Sequence, residues 1–229
     1  MIDLNKPNPM LDLLVALVIP SLILMKLSDP QDLGAVNALL LALAFPLFWG
    51  ARELWQRRRF NWIVALGLVS ILLTGGIGLL QLDNQWLAVK EAAVPGLIGL
   101  VVAGSALTSR PLVGVLLYTP ALIDTERVSR QLQERGNQAA FDARLKTATW
   151  MLGASFFFSA TMNYFLATWI VTSPAGSAAF NEELGRLTLL SYPMIALPST
   201  LILLAVLYYI SRAVRELAGL KLTEALRAQ

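Results

Sequence analysis

The stretch Leu73–Gly96, LTGGIGLLQLDNQWLAVKEAAVPG, decides the fold. Three glycines sit in an apolar run. Asp83, Trp86 and the pair Lys90–Glu91 follow, and then apolar residues resume. Charges gathered in a short hinge between two apolar segments suit the turn between two membrane-spanning helices, because a charge at the centre of a bilayer costs roughly 3 kcal/mol or more. The flanking runs have the length this requires. Between Arg59 and Asp83 lie 23 uncharged residues, and between Glu91 and Arg110 lie 18, against the roughly 20 that a spanning helix needs.

Similar runs occur on both sides of this hairpin. There are 19 uncharged residues between Asp32 and Arg52, 25 between Arg186 and Arg212, and 35 between Lys146 and Glu182, enough there for one helix and a loop. Only 13 residues separate Asp12 from Lys26. Asn8 nevertheless offers an N-cap and Pro9 a first helical position. Asp12 then suits the helix dipole, and Lys26 can snorkel. The expected fold is all-α: a polytopic bundle of six transmembrane helices at about 9–27, 33–52, 60–82, 90–108, 147–172 and 187–212. Residues 1–229 form a single integral membrane domain.

Composition agrees. Of 229 residues, 56% are hydrophobic and 14% charged, with mean hydropathy +0.63; soluble domains carry about 25% charged residues. The chain has no cysteine and no histidine. Disulfides, thiolate nucleophiles, His-ligated metals and Ser-His-Asp catalysis are therefore excluded. No cofactor is expected. The opening MIDLNKPNPMLDLL does not read as a secretory leader, so the first apolar segment is expected to be retained.

Orientation follows from the basic residues. With a cytoplasmic N-terminus, 15 of the 18 Lys and Arg fall on the cytoplasmic side; Lys26, Lys90 and Arg186 fall on the other. The expected location is a bacterial inner membrane, multi-pass, with both termini cytoplasmic. All six tryptophans lie near span ends, as an aromatic belt requires. The net charge of +3 and pI near 9.4 reflect this topology and anionic lipid, and no nucleic-acid partner is expected. Arg57–Arg59 reads as a juxtamembrane anchor.

Residues 110–145 form the longest segment outside the spans. RPLVGVLLYTPALI (110–123) is too short to cross and reads as interfacial or re-entrant. DTERVSRQLQERGNQAAFDARLK (124–146) places Val128, Leu132, Ala139 and Ala143 near helical spacing. Asp124 can cap its start and Gly136–Asn137 can break it, giving a pair of cytoplasmic amphipathic helices. Pro46, Pro95 and Pro193 recur at separations of 49 and 98. That spacing fits a repeated helical hairpin; an inverted three-plus-three repeat is the competing reading.

Several polar residues are candidates for a pathway or partner site. Thr74, Gly75 and Gly78 give the third span a small-residue face, and Ala92, Gly96, Gly99 and Ala103 do so for the fourth; together these would pack the two spans closely. Lys90 and Glu91 either anchor the outer interface or sit in a polar vestibule with Glu182, Glu183 and Arg186. In the fifth span Thr147, Ser155, Ser159 and Asn163 share a face. They form either interhelical hydrogen bonds or a hydrophilic groove. No span carries a mid-membrane acid or base, which argues against a proton relay.

Four segments carry a family resemblance: RELWQRRR (52–59), matching at Glu53, Trp55 and Arg57 to Arg59; WLAVK (86–90); SRPLV (109–113); and MNYFLA (162–167), matching at Asn163 and Tyr164. In these motifs and their order the chain resembles the bacterial intracellular septation protein A family over most of residues 9–212. It departs from that pattern in its longer 124–145 stretch and in SPAGSAAFNEELGR (173–186). The resemblance implies a non-enzymatic inner-membrane protein that supports cell division or envelope assembly through contacts with other membrane proteins. The alternative is a small transporter or lipid flippase with a polar vestibule at the outer face. The expected partners are the bilayer, membrane proteins or further copies of the chain, and a lipid or small-molecule ligand.

Overall fold

The structure is a computed structural model that describes residues 14–57, 62–117 and 125–220. Among the described residues all regular structure is helical. In chain order the helices are α1 (Ile19–Lys26, entered through a π-turn at Leu14–Val18), α2 (Gly34–Arg57), α3 (Trp62–Leu79), α4 (Asn84–Ser105), α5 (Leu112–Leu117), α6 (Thr125–Glu134), α7 (Gln138–Ile170), α8 (Ala178–Ser191) and α9 (Leu197–Ala213). A π-turn at Tyr192–Ala196 joins α8 to α9, and another at Val214–Ala218 extends α9.

Among the described residues three helices are long and apolar enough to cross a membrane: Gly34–Arg52, Asn84–Ser105 and Ala178–Ala218. They mark the chain as a helical membrane protein. Ala65–Leu79 is a shorter apolar helix. Large apolar side chains such as Phe48, Leu72, Leu100, Val101 and Leu201 are exposed, as lipid-facing residues are when lipid is the solvent. Trp86, Trp150 and Trp169 are exposed as well. The Arg52 guanidinium lies 5.5 Å from the Trp49 ring centroid, a cation–π contact. The side chains of Trp55 and Trp62 lie outside the described residues.

Several helices differ in extent from the expected spans they carry. The helix of the expected 90–108 span runs Asn84–Ser105, and Asp83 caps its start: the Asp83 carboxylate accepts from the Gln85 backbone N–H at 2.7 Å. Lys90 therefore lies six residues inside the helix, about 9 Å from its first residue. The helical stretch that contains the expected 187–212 span runs from Ala178 to Ala218. Its π-turn accommodates Pro193, which has no N–H to donate. The amphipathic pair is also different. Gly136, at φ +65°, does break the chain there. The segment after it, however, is the first part of the 33-residue helix α7 rather than a separate surface helix. In the pair, Val128 and Leu132 are buried as expected, but Phe141 and Leu145 are buried in place of Ala139 and Ala143, which are exposed. The turn at Gly136 resets the helical register, and the larger side chains take the inward face. The capping residues Asn8, Pro9, Asp12 and Asp124 lie outside the described residues.

The chain divides into two compact units. The first comprises Met1–Ala92 and Met162–Met194, the second Ala93–Thr161 and Ile195–Gln229. In the first, α2 packs on α3 through the small-residue face. A Cβ on Gly75 would lie 2.6 Å from Leu43 Cδ1, and one on Gly78 would lie 2.7 Å from Leu39 Cδ2. The glycines of α3 thus receive leucines of α2, not the fourth helix as expected from their position beside the hinge. Helix α8 packs on α1 at Gly185, where a Cβ would stand 2.8 Å from the Ser21 carbonyl oxygen. The fully buried Asn181 ties α8 to the start of α2 and the turn before it: its amide donates to Ala35 O at 2.7 Å and to Ser28 Oγ at 3.1 Å.

In the second unit, α4 packs on α7 through its own small residues. Gly96 faces Ala160, Gly99 faces Phe156, and Ala103 stands against Gly153. An apolar core joins α5, α6, α7 and the end of α9 through Val113, Leu132, Phe141, Val206, Ile210 and Val214. Polar contacts close it. Asn137 donates to Leu217 O at 2.9 Å, and Arg144 reaches Tyr209 Oη at 3.2 Å with its guanidinium 5.2 Å from that ring.

Candidate functional site

Lys90 lies in the first unit, on the face of α4 turned to α3. Its side chain is only 10% exposed. An ammonium has three N–H donors, and each has an acceptor here: Glu91 Oε1 at 2.6 Å, Thr74 Oγ1 at 2.7 Å and Ser70 Oγ at 3.2 Å. Thr74 in turn donates to the Ser70 carbonyl at 3.1 Å. The charge is thus neutralised and fully hydrogen-bonded by three side chains of one hairpin. Such a cluster fastens α3 to α4 and leaves the ammonium no donor for a ligand.

The other charged candidates are engaged elsewhere. Glu182 pairs with Arg186 at 2.5 Å, one turn apart on α8. Glu183 closes the turn before α8, accepting from the backbone N–H of Thr172 at 2.9 Å and of Ser173 at 2.8 Å, and from the Ser173 hydroxyl at 2.8 Å. Among the described residues no ion pair or hydrogen bond joins Lys90 and Glu91 to these three, so the expected five residues do not meet by direct contact. Asn84 braces the same unit by donating to the carbonyls of Val171 at 3.2 Å and Ser173 at 2.8 Å. Glu53 lies on α2, and its side chain falls outside the described residues. Asn163 is half-buried on α7 and has a partner.

The second unit holds the cavity. It measures about 790 Å³ and is bounded by Leu97, Ile98, Val101 and Val102 of α4, Leu112 of α5, Leu152, Ser155, Phe156 and Ser159 of α7, and Ala196, Ser199, Thr200 and Leu203 at the start of α9. Nine of these thirteen side chains are apolar. Ligand sites typically measure about 300–1,000 Å³ and are mainly apolar with a few placed polar groups. Ser159, expected from the polar stripe, lies on its wall together with Ser155. Thr147, at the other end of the stripe, is exposed and donates to the Ala143 carbonyl at 3.1 Å.

Two of the hydroxyls at this cavity were not expected. Thr200 donates to the Ala196 carbonyl at 2.7 Å. The Ser199 hydroxyl is buried and has no hydrogen-bond partner. Leaving a buried hydroxyl unmet costs about 1–3 kcal/mol, so an acceptor at that point would be stabilising. Among the described residues, no cluster of three or more His, Cys, Asp or Glu is placed to hold a metal. No protein-family model matches the chain, and comparison with curated proteins and with solved structures finds no similar one.

Proposed function

We propose that the chain is a non-enzymatic protein of the bacterial inner membrane, with six spans and both termini in the cytoplasm, that binds a membrane lipid in the cavity between α4, α7 and α9. The observation that carries this reading is the cavity itself: about 790 Å³, walled largely by Leu, Ile, Val and Phe, with the Ser199 hydroxyl buried and unpartnered beside it. An acyl chain meets the apolar wall, and an ester carbonyl can accept from serine. The mainly apolar wall suits an acyl chain better than water.

The role this binding serves is division or envelope assembly, the role implied by the resemblance to septation protein A. The carrier alternative calls for an open polar path. The closed hydrogen bonding of Lys90 favours a lipid-binding protein over a carrier with an outer polar vestibule. Mass spectrometry of the intact protein, extracted from its own membrane in mild detergent, tests the reading. Wild type is expected to retain lipid, and Leu97→Trp or Leu203→Trp, which fill the cavity from exposed positions, to lose it. Equal retention in all three proteins would remove the cavity from the account.

A further inference from the structure

A second pocket in the same unit is cationic. It measures about 540 Å³ and is lined by Ser109, Arg110, Pro111, Gly114, Val115, Asp142, Leu145 and Lys146. Among the described residues neither the Arg110 guanidinium nor the Lys146 ammonium has a hydrogen bond or an ion pair. The Asp142 carboxylate accepts from Gln138 Nε2 at 3.1 Å and retains further acceptor sites. The turn that carries Arg110 is pinned: its backbone N–H donates to Thr108 Oγ1 at 3.1 Å, and the Leu112 N–H donates to Ser105 Oγ at 3.0 Å. Arg110 is thus presented from a fixed turn and shares the pocket lining with Asp142 and Lys146 of α7.

We propose that this pocket binds the headgroup of the lipid whose chain occupies the apolar cavity, and that the headgroup is a phosphoethanolamine. The phosphodiester takes Arg110 and Lys146, and the amine takes Asp142. The inference rests on the lipid reading above but uses different residues. Three observations join the sites. Helix α5 contributes Leu112 to the cavity and Gly114 and Val115 to the pocket. Helix α7 contributes to both. Along α7 the cavity residues Leu152 to Ser159 lie about 9 to 20 Å from Lys146 at 1.5 Å per residue, while half the hydrocarbon thickness of a bilayer is about 15 Å. A headgroup at Lys146 therefore puts its acyl chain at the depth of the cavity. Two cations suit a phosphate, and basic pockets between spans on the cytoplasmic side are where lipid headgroups dock. The Asp142 carboxylate in the same wall selects a zwitterionic head over a purely anionic one.

The test is lipid retention by the intact protein, delipidated and then offered phosphatidylethanolamine, phosphatidylglycerol or diacylglycerol of identical chains. Wild type is expected to retain phosphatidylethanolamine most, at more than about tenfold over diacylglycerol, since hydrogen bonds to a charged group are the strong ones. The double variant Arg110→Gln/Lys146→Gln should fall to the diacylglycerol level with its thermal midpoint unchanged. Asp142→Asn should keep both phospholipids and lose the preference between them. Retention of phosphatidylethanolamine no better than diacylglycerol, or unchanged in the double variant, would overturn the headgroup site while leaving the cavity reading intact. Failure to hold any of the three lipids would overturn both. Displacement of phosphatidylethanolamine by millimolar inorganic phosphate, with no effect of chain length, would reassign the pocket to free phosphate.

Discussion

Lys90 and Ser199 are both polar groups set among apolar helices, and their immediate surroundings treat them in opposite ways. Around Lys90 every donor is met: Ser70, Thr74 and Glu91 accept all three N–H groups of an ammonium that is nine-tenths buried. Around Ser199 a buried hydroxyl is left without a partner at the edge of a large apolar cavity, and in the same unit Arg110 and Lys146 line a pocket with no hydrogen bond or ion pair among the described residues. A polar network that satisfies itself stiffens a fold. Polar groups left unsatisfied beside empty space are poised for something that is not part of the chain. The residue with the more conspicuous charge is therefore the structural one, and the inconspicuous serine borders the proposed site.

Mutations can break this contrast. The largest effect is expected from Lys90→Ala, which strands Glu91 and the two hydroxyls. Loss of one partner from a buried pair costs about 3–5 kcal/mol, and the partial exposure of Glu91 reduces this to roughly 2–3 kcal/mol. Thermal unfolding in detergent should show it, with lipid retention per folded molecule unchanged. Thr74→Val removes one acceptor of nearly the same shape and should cost about 1–2 kcal/mol by the same measurement. Asn84→Ala, which frees the carbonyls of Val171 and Ser173, should cost about 1 kcal/mol. The smallest effect has the opposite sign. Ser199→Ala deletes an unmet hydroxyl and should stabilise the delipidated protein by up to about 1 kcal/mol, while weakening lipid retention. A destabilising Ser199→Ala in lipid-free protein would mean that the hydroxyl already has a partner, and the contrast would collapse.

Much of the first unit was legible in the sequence. Asp83 marks the hinge, and it caps the helix that follows. The partners of Lys90 were legible too, though by a signal left unused. In an antiparallel hairpin, residues equidistant from the turn lie level, and Thr74 and Lys90 are both eight positions from Leu82. The glycine face of α3 was correctly seen as a packing surface, but spacing says nothing of which neighbour fills it, and Leu39 and Leu43 of α2 do so. The second unit was harder to read. The amphipathic register past Gly136 was read from alanines, whose small side chains bury on either face, whereas Phe141 and Leu145 set the register. The cavity draws on four helices, α4, α5, α7 and α9, spread along the sequence. Only Ser155 and Ser159 announced it; Ser199 and Thr200 follow Pro198 in an otherwise apolar run and carry no periodic signal.

The most direct test of the lipid site uses a phospholipid with a photoactivatable diazirine at mid-chain, reconstituted with the protein in vesicles and mapped by peptide mass spectrometry. The account predicts labelling concentrated on residues 97–102, 152–159 and 196–203, and its loss there in Leu97→Trp while exposed lipid-facing positions such as Leu72 and Leu40 stay labelled. Label spread evenly over all exposed apolar positions, and unaltered in the variant, would contradict it.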